Sequence, residues 1–345
     1  MDAVIVLILL QDGIMNGAIY ALLGLALVLV FVVTRVIFIP QGEFVTYGAL
    51  TLAFMLNGRV PGTIALLLLA GGVVFVLEVV DAVRHQNWQG FSRVVVNCLV
   101  IPIGLYLVVP GLVAAELPLW VNALISLAIV VPLGPMVYRL AYQPIAEASV
   151  LTLLIVSVAV HFAMTGMGLI FFGAEGWRTP AFIEGAVNMG PVSWSAQTFL
   201  VLLTCALFMV VLWLFFGRTL YGKALRATAV NRRGARLVGI STNMSGRLTF
   251  TMAAAIGALS GMLIAPVTTI YYDTGFLIGL KGFVAAIFGG LISYPVAAIG
   301  ALFVGILEAF SSFWASAYKE VIVFTLILPV LLWRSLTMTH VEDGD

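Results

Sequence analysis

The chain has 345 residues, 63% of them hydrophobic and only 9% charged, with a net charge of +1 and a mean hydropathy of +1.17. Soluble domains carry about 25% charged residues, so an ordinary soluble core is excluded. The near-neutral balance also argues against a nucleic-acid or acidic partner.

The apolar runs are long and do not alternate. Backbone amides in lipid must find partners within the protein, so these runs predict membrane helices and not a barrel. A span takes about 20 residues. In chain order the predicted spans are 14–33, 44–56, 62–80, 94–109, 119–138, 150–172, 196–216, 248–268, 281–292, 296–314 and 320–334. The expected fold is an all-α integral membrane bundle of roughly 9–11 segments in a single domain over 1–345. Segments 44–56 and 281–292 are short enough to be broken or re-entrant. The opening MDAVIVLILLQDG does not read as a signal peptide, because it is acidic, lacks Lys and Arg, and has no small-residue cleavage site.

Hydrophobicity breaks mainly at 81–93, at 173–195 and in the loop 217–247. That loop holds seven of the sixteen Lys and Arg residues and no Asp or Glu. Basic loops resist translocation, which places this one on the cytoplasmic side. If every predicted segment crosses, twelve basic residues lie on that side. Arg59, Arg178, Lys281 and Lys319 lie outside or within the membrane. The N-terminus is then periplasmic and the tail at 339–345 cytoplasmic. The loop is expected to dock a cytoplasmic partner.

Other signals are weaker. Gly217, Gly222 and Lys223 match the start of a phosphate-binding loop, but Ala224 stands where a hydroxyl should hold magnesium, and a membrane helix precedes it instead of a strand. Cys98 and Cys205 sit in apolar spans and are expected to pack, not to form a disulfide. His85, His161 and His340 are too scattered for a metal site, and His161 is expected to be packed or hydrogen-bonded. Charge within a membrane is costly, which makes Glu43, Asp273, Lys281 and Glu308 candidates for a translocation path or gate. Pairing of Asp273 with Lys281 is the alternative for those two, and a structural hydrogen-bonding role is the alternative for Glu308. Gly13/Gly17, Gly257/Gly261 and Gly275/Gly279 have the spacing of close helix contacts.

Three stretches in order carry a family likeness: GAIYALLGLALVLVFVVTRVIFIPQGEF from residue 17, LAYQPIAEASVLTLLIVSVAV from residue 140, and YGKALRATAVNRRGARLVGIS through TGFLIGLKGFVAAIFGGLISYPVAAIGALFVGILEAFSS. They resemble the LivH-type permeases, membrane subunits of branched-chain amino acid ABC importers. The resemblance implies a bacterial inner-membrane subunit that is not itself an enzyme and holds no cofactor. ATP and magnesium would be bound by two cytoplasmic ATP-binding subunits. A second permease subunit, identical or paralogous, and a periplasmic substrate-binding protein would complete the importer, all within membrane lipid. The solute implied is a branched-chain or other hydrophobic amino acid, or a related small carboxylate.

The stretch 224–239 is similar to the family's coupling region, a short helix seated in a groove of the ATPase. By that likeness Arg226, Asn231, Arg232, Ala235, Arg236, Leu237 and Gly239 are the coupling residues. The chain departs from the pattern at FIPQGE, where Gln41 replaces a common His and Pro40 a common Ala; Gln41 therefore joins Glu43 as a path candidate. It also carries about 40 additional residues before Arg139, enough for two crossings, which places an extra hairpin near 75–118. An ion-coupled carrier or channel without ATPase partners is the competing reading, and it leaves the basic loop unexplained.

Overall fold

The computed structural model describes residues 3–86, 88, 91–189 and 192–337; the tail at 339–345, including His340, lies outside the described residues. The helices are α1 (Ala3–Thr34), α2 (Gln41–Leu56), α3 (Thr63–His85), α4 (Phe91–Ala114), α5 (Leu119–Ile145), α6 (Val150–Phe172), α7 (Ala196–Arg218), α8 (Leu220–Val230), α9 (Arg232–Leu237), α10 (Thr242–Ile264), α11 (Thr274–Phe288), α12 (Tyr294–Trp314), α13 (Lys319–Thr325) and α14 (Ile327–Thr337). Eight of them, α1, α3–α7, α10 and α12, are long and apolar enough to cross a membrane. This is the all-α polytopic bundle that the apolar runs predict.

A helix that is apolar all round belongs in the interior, and α1 occupies the middle of the bundle, with every residue from Gly17 to Val30 buried. It packs against α10, α11 and above all α12. Gly13 and Gly17 permit the α12 contact: a Cβ on Gly13 would lie 2.6 Å from the Ile306 Cα, and one on Gly17 2.8 Å from the Leu302 Cα. Helix α2 has only 16 residues, and Gln41 to Met55 are all buried. Because α5, α10 and α11 enclose it, its ends meet protein and it can be short without exposing backbone to lipid. Gly42 lies directly on Gly275 of α11: a Cβ on either would come within about 2.1 Å of the other's carbonyl oxygen. Thr46 Oγ1 also accepts the Gly275 N–H at 2.8 Å. Gly261 of α10 sits on the Val45 carbonyl in the same way. All three glycine pairs are therefore close contacts.

Several boundaries differ from expectation. Helix α1 begins at Ala3, well before residue 14, and α10 runs Thr242–Ile264 where 248–268 was expected. Helix α11 is a regular helix from Thr274, ending at Gly289 and the positive-φ Gly290, so the second short segment is neither broken nor shifted to 281–292. The last span divides into α13 and α14, because Pro329 has no N–H to give the Thr325 carbonyl. The 173–195 break holds a two-stranded antiparallel hairpin, β1 (Ala186–Met189) with β2 (Val192–Ser195). In α4 the turn Val96–Val100 widens to a π-helix just before Pro102. The α4 and α7 helices bury few residues, and the outward Leu107 and Trp213 are each 70% exposed.

Candidate functional site

The candidate residues fall into two groups at opposite ends of the same helices. On α1, Asp12 belongs to one end, whereas Val33 packs on Leu225 at the other. The 20 residues between them span roughly 30 Å.

At the basic end, α7 turns into α8 at Thr219, whose Oγ1 caps the Gly222 N–H at 2.9 Å. The Gly217–Lys223 stretch is thus a capped helix start and not a phosphate loop. Leu225 anchors α8 on Leu29 and Val33. Asn231 then caps α9, its Oδ1 accepting the Gly234 N–H at 2.8 Å. Gly239 ends the unit at φ +83°, where the Ile240 N–H bonds back to the Ala235 carbonyl at 2.9 Å. Ala235 is buried as the foot of α9.

The arginines of this unit do not all face outward. Arg232 donates to the Ala146 carbonyl at 2.9 Å. Arg236 donates to Glu147 at 2.5 Å and to Thr242 Oγ1 at 3.1 Å. The hydrogen bond from Arg236 holds the exposed Glu147 carboxyl below the ordinary carboxylate range. Both arginines therefore staple α9 to the α5–α6 connection. The surface left free combines exposed Arg226 and Arg233 with apolar Leu237 at 89% and Val238 at 75% exposure. Arg226 also borders an apolar cleft of about 570 Å3 between α1, α7 and α12. Beside this unit, Glu78 of α3 accepts from Arg139 at 2.9 Å and from Arg247 at 2.5 Å, and Asp81 bonds Arg139 as well. The 75–118 region is thereby tied to the foot of α10.

At the other end, Lys281 of α11 donates to Glu308 of α12 at 2.5 Å and to Glu320 of α13 at 3.1 Å. Tyr20 of α1 donates to the second Glu308 oxygen at 2.5 Å. Asp273 is therefore not the partner of Lys281. It stands exposed ahead of α11 and makes no ion pair among the described residues. Glu43 is fully buried, with Oε1 2.8 Å from His161 Nδ1 on α6. The His161 ring stacks on Phe276 at 4.3 Å. Gln41 donates to the Ala253 carbonyl at 3.0 Å, which fixes α2 to α10. A cavity of about 570 Å3 brings together Asp12, His161, Asp273, Lys281, Glu308 and Glu320. Gln41 is not among its lining residues. Above it, Arg178 donates to the Pro266 and Val267 carbonyls at 2.9 and 2.8 Å, and Arg59 lies over Trp177.

Tyr20, Glu78, Glu147 and Glu320 all take part without having been singled out by sequence for these roles, whereas His161 is hydrogen-bonded and packed as expected. One signal was available for His161 and Glu43: each is a lone ionisable group in an apolar helix, and such groups seek one another.

Buried helix crossings, a polar cavity at one end and a rigid capped hairpin of helices at the other define a membrane permease. The family described as branched-chain amino acid transport system / permease component matches residues 9–331, and the chain belongs to it. It is similar to the high-affinity branched-chain amino acid permease protein BraD of Pseudomonas aeruginosa, 31% identical over 228 residues, covering 64% of this chain and 74% of that protein. LivH of Escherichia coli K12 is 32% identical over 206 residues, covering 58% and 67%. The autoinducer 2 import permease LsrC of Yersinia pestis matches over a shorter stretch, 30% identical over 105 residues, covering 30% of this chain and 27% of that protein. The solved PsaBC structure from Streptococcus pneumoniae aligns over 94% of this chain and 90% of that one at 10% identity, with a TM-score of 0.40, too low to carry an argument.

The chain is thus a multi-pass inner-membrane permease component of an ABC importer family, a transport subunit and not an enzyme. ATPase and substrate-binding components complete such systems.

Proposed function

We propose that this chain is one of two permease subunits, identical or paralogous, that carry a branched-chain or other hydrophobic amino acid from periplasm to cytoplasm. Two ATP-binding subunits drive the cycle, and a periplasmic binding protein delivers the solute. The basic end faces the cytoplasm, which leaves the N-terminus periplasmic. The single observation that carries the coupling role is the α8–α9 unit. It is capped at both helix starts, footed by Leu225 and Ala235, and stapled by Arg232 and Arg236, yet it exposes Leu237 and Val238 at its tip. A rigid unit with an uncovered apolar tip transmits a partner's motion as a rigid body. In this reading Arg226, Leu237 and Gly239 belong to the docking surface, while Asn231, Arg232, Ala235 and Arg236 hold its shape. The 75–118 hairpin, held through Glu78 and Asp81, stiffens the foot of that surface.

Purification of the tagged chain from native membranes tests the assignment. ATPase subunits are expected to copurify with the wild type and to be lost from Leu237→Asp/Val238→Asp. A chain that purifies alone, and whose transport is indifferent to both substitutions, would return the ion-coupled carrier to first place.

A further inference from the structure

The cavity opposite the basic end has an uneven chemistry. Acidic Asp12, Asp273, Glu308 and Glu320 outnumber Lys281 and Lys319 among its lining groups. Lys281 is already committed to two carboxylates, whereas Asp12 and Asp273 make no ion pair among the described residues. The Glu43 carboxylate lies behind His161 and engages Nδ1 at 2.8 Å. With Nδ1 engaged by that carboxylate, Nε2 is the ring nitrogen left for a partner in the cavity. The His161 ring also stacks on Phe276, and Phe276 follows Asp273 by three residues, which is one helical turn. His161, Phe276 and Asp273 therefore converge at one wall. Beside them Leu277, Ile278 and Ile264 give the cavity an apolar side.

An imidazole nitrogen, an unpaired carboxylate and an aliphatic surface together suit a primary ammonium group borne on a short apolar chain. We infer that this cavity is a solute-binding site of the chain itself, in which Asp273 and His161 Nε2 hold the solute's ammonium group. Glu43 is the positioning residue that fixes the ring. Lys319, a lining cation without an ion pair among the described residues, is available to the solute's carboxylate. The volume of about 570 Å3 lies within the ordinary range for small-molecule sites. The inference rests on the importer reading above and narrows it: the amine is required, and a carboxylic acid without one is refused.

The test is equilibrium binding of radiolabelled leucine to the purified permease–ATPase complex in lipid nanodiscs, with the binding protein omitted. Unlabelled leucine, 3-methylbutylamine and 4-methyl-2-oxopentanoate serve as competitors. Saturable leucine binding is expected, displaced by the amine and not by the oxo acid. Asp273→Asn should weaken it by about tenfold or more, the loss of one charge-assisted contact, and Asp273→Glu should restore part of it. Glu43→Gln should reduce discrimination between leucine and the oxo acid, which a folding defect alone would not do. Absent binding, displacement by the oxo acid, or an unaltered Asp273→Asn would overturn the inference if the same preparation, given its binding protein and ATP, still transports leucine. Failure of that wild-type preparation to transport any amino acid would instead sink the importer reading.

Discussion

The two ends of the bundle handle charge in opposite ways. At the basic end the ion pair Arg236–Glu147 is largely exposed, with side-chain exposures of 45% and 74%, and apolar side chains point away from the chain. At the cavity end Lys281 and Glu308 are 6% and 10% exposed and bond to each other, while Glu43 and His161 are buried as a pair. The first arrangement holds a shape and leaves its surface for something else to cover. The second pairs its buried charges with one another, because a lone charge in that setting is costly. One end leaves an apolar surface uncovered; the other keeps its buried charges paired within the chain.

This contrast can be broken most forcefully at Lys281. Lys281→Met leaves the buried Glu308 with its Tyr20 hydrogen bond but no cation and is expected to cost about 3–5 kcal/mol, read as a steep fall in unfolding temperature in detergent. Adding Glu308→Leu should recover much of the loss; an unchanged single variant would show that the cavity end does not depend on internal pairing. Next comes the helix crossing beneath the cavity. Gly275→Val drives a side chain into the Gly42 carbonyl and Thr46, with an expected cost toward the upper part of about 1–3 kcal/mol; equal stability would mean that α2 and α11 can part freely.

At the basic end the order of effects reverses, with little change in stability and a large change in association. Leu237→Asp should shift folding by no more than about 0.5 kcal/mol yet weaken ATPase binding by about 2 kcal/mol, as hot-spot truncations do. A titration of ATPase subunit against the nanodisc-held permease reads both numbers' difference directly. The smallest effect belongs to Glu147. Its carboxyl is held below its ordinary 4.5 by Arg236, so any stabilisation is complete above that value and fades as pH falls through the lowered one. Glu147→Gln should therefore show its whole, small effect at neutral pH, and its difference from wild type should vanish on acidification and in high salt.

Much of this architecture was legible in the chain because lipid leaves the backbone few choices. Run length located the spans and the shortness of α2, and charge count located the basic loop. Boundaries slipped where small and polar residues are folded into helices: the expected span 281–292 leaves out TGFLIGL, yet α11 begins at Thr274, with Gly275 and Ile278 buried. The β-hairpin was missed because four-residue strands carry too little pattern to stand out. The partners of charged residues were the least visible. Asp273 was the nearest acid to Lys281 in sequence, but the actual partners lie 27 and 39 residues away, and Glu43 meets His161 across 118. Spacing along a chain constrains contacts within one helix; it says little about which helix arrives alongside.

The enclosure of α1 has a bearing on how the protein is made. Its first segment emerges from the ribosome with Asp12 and Tyr20 already within it, but Tyr20 waits for Glu308, 288 residues later. At about 5–20 residues per second, that delay is roughly 15–60 s. Throughout it, the glycine face meant for α12 has no permanent neighbour. Helix α1 is synthesised well before the α12 helix that completes its packing, so a nascent chain stalled before residue 300 holds its own centre open to lipid, the insertion machinery and quality-control proteases.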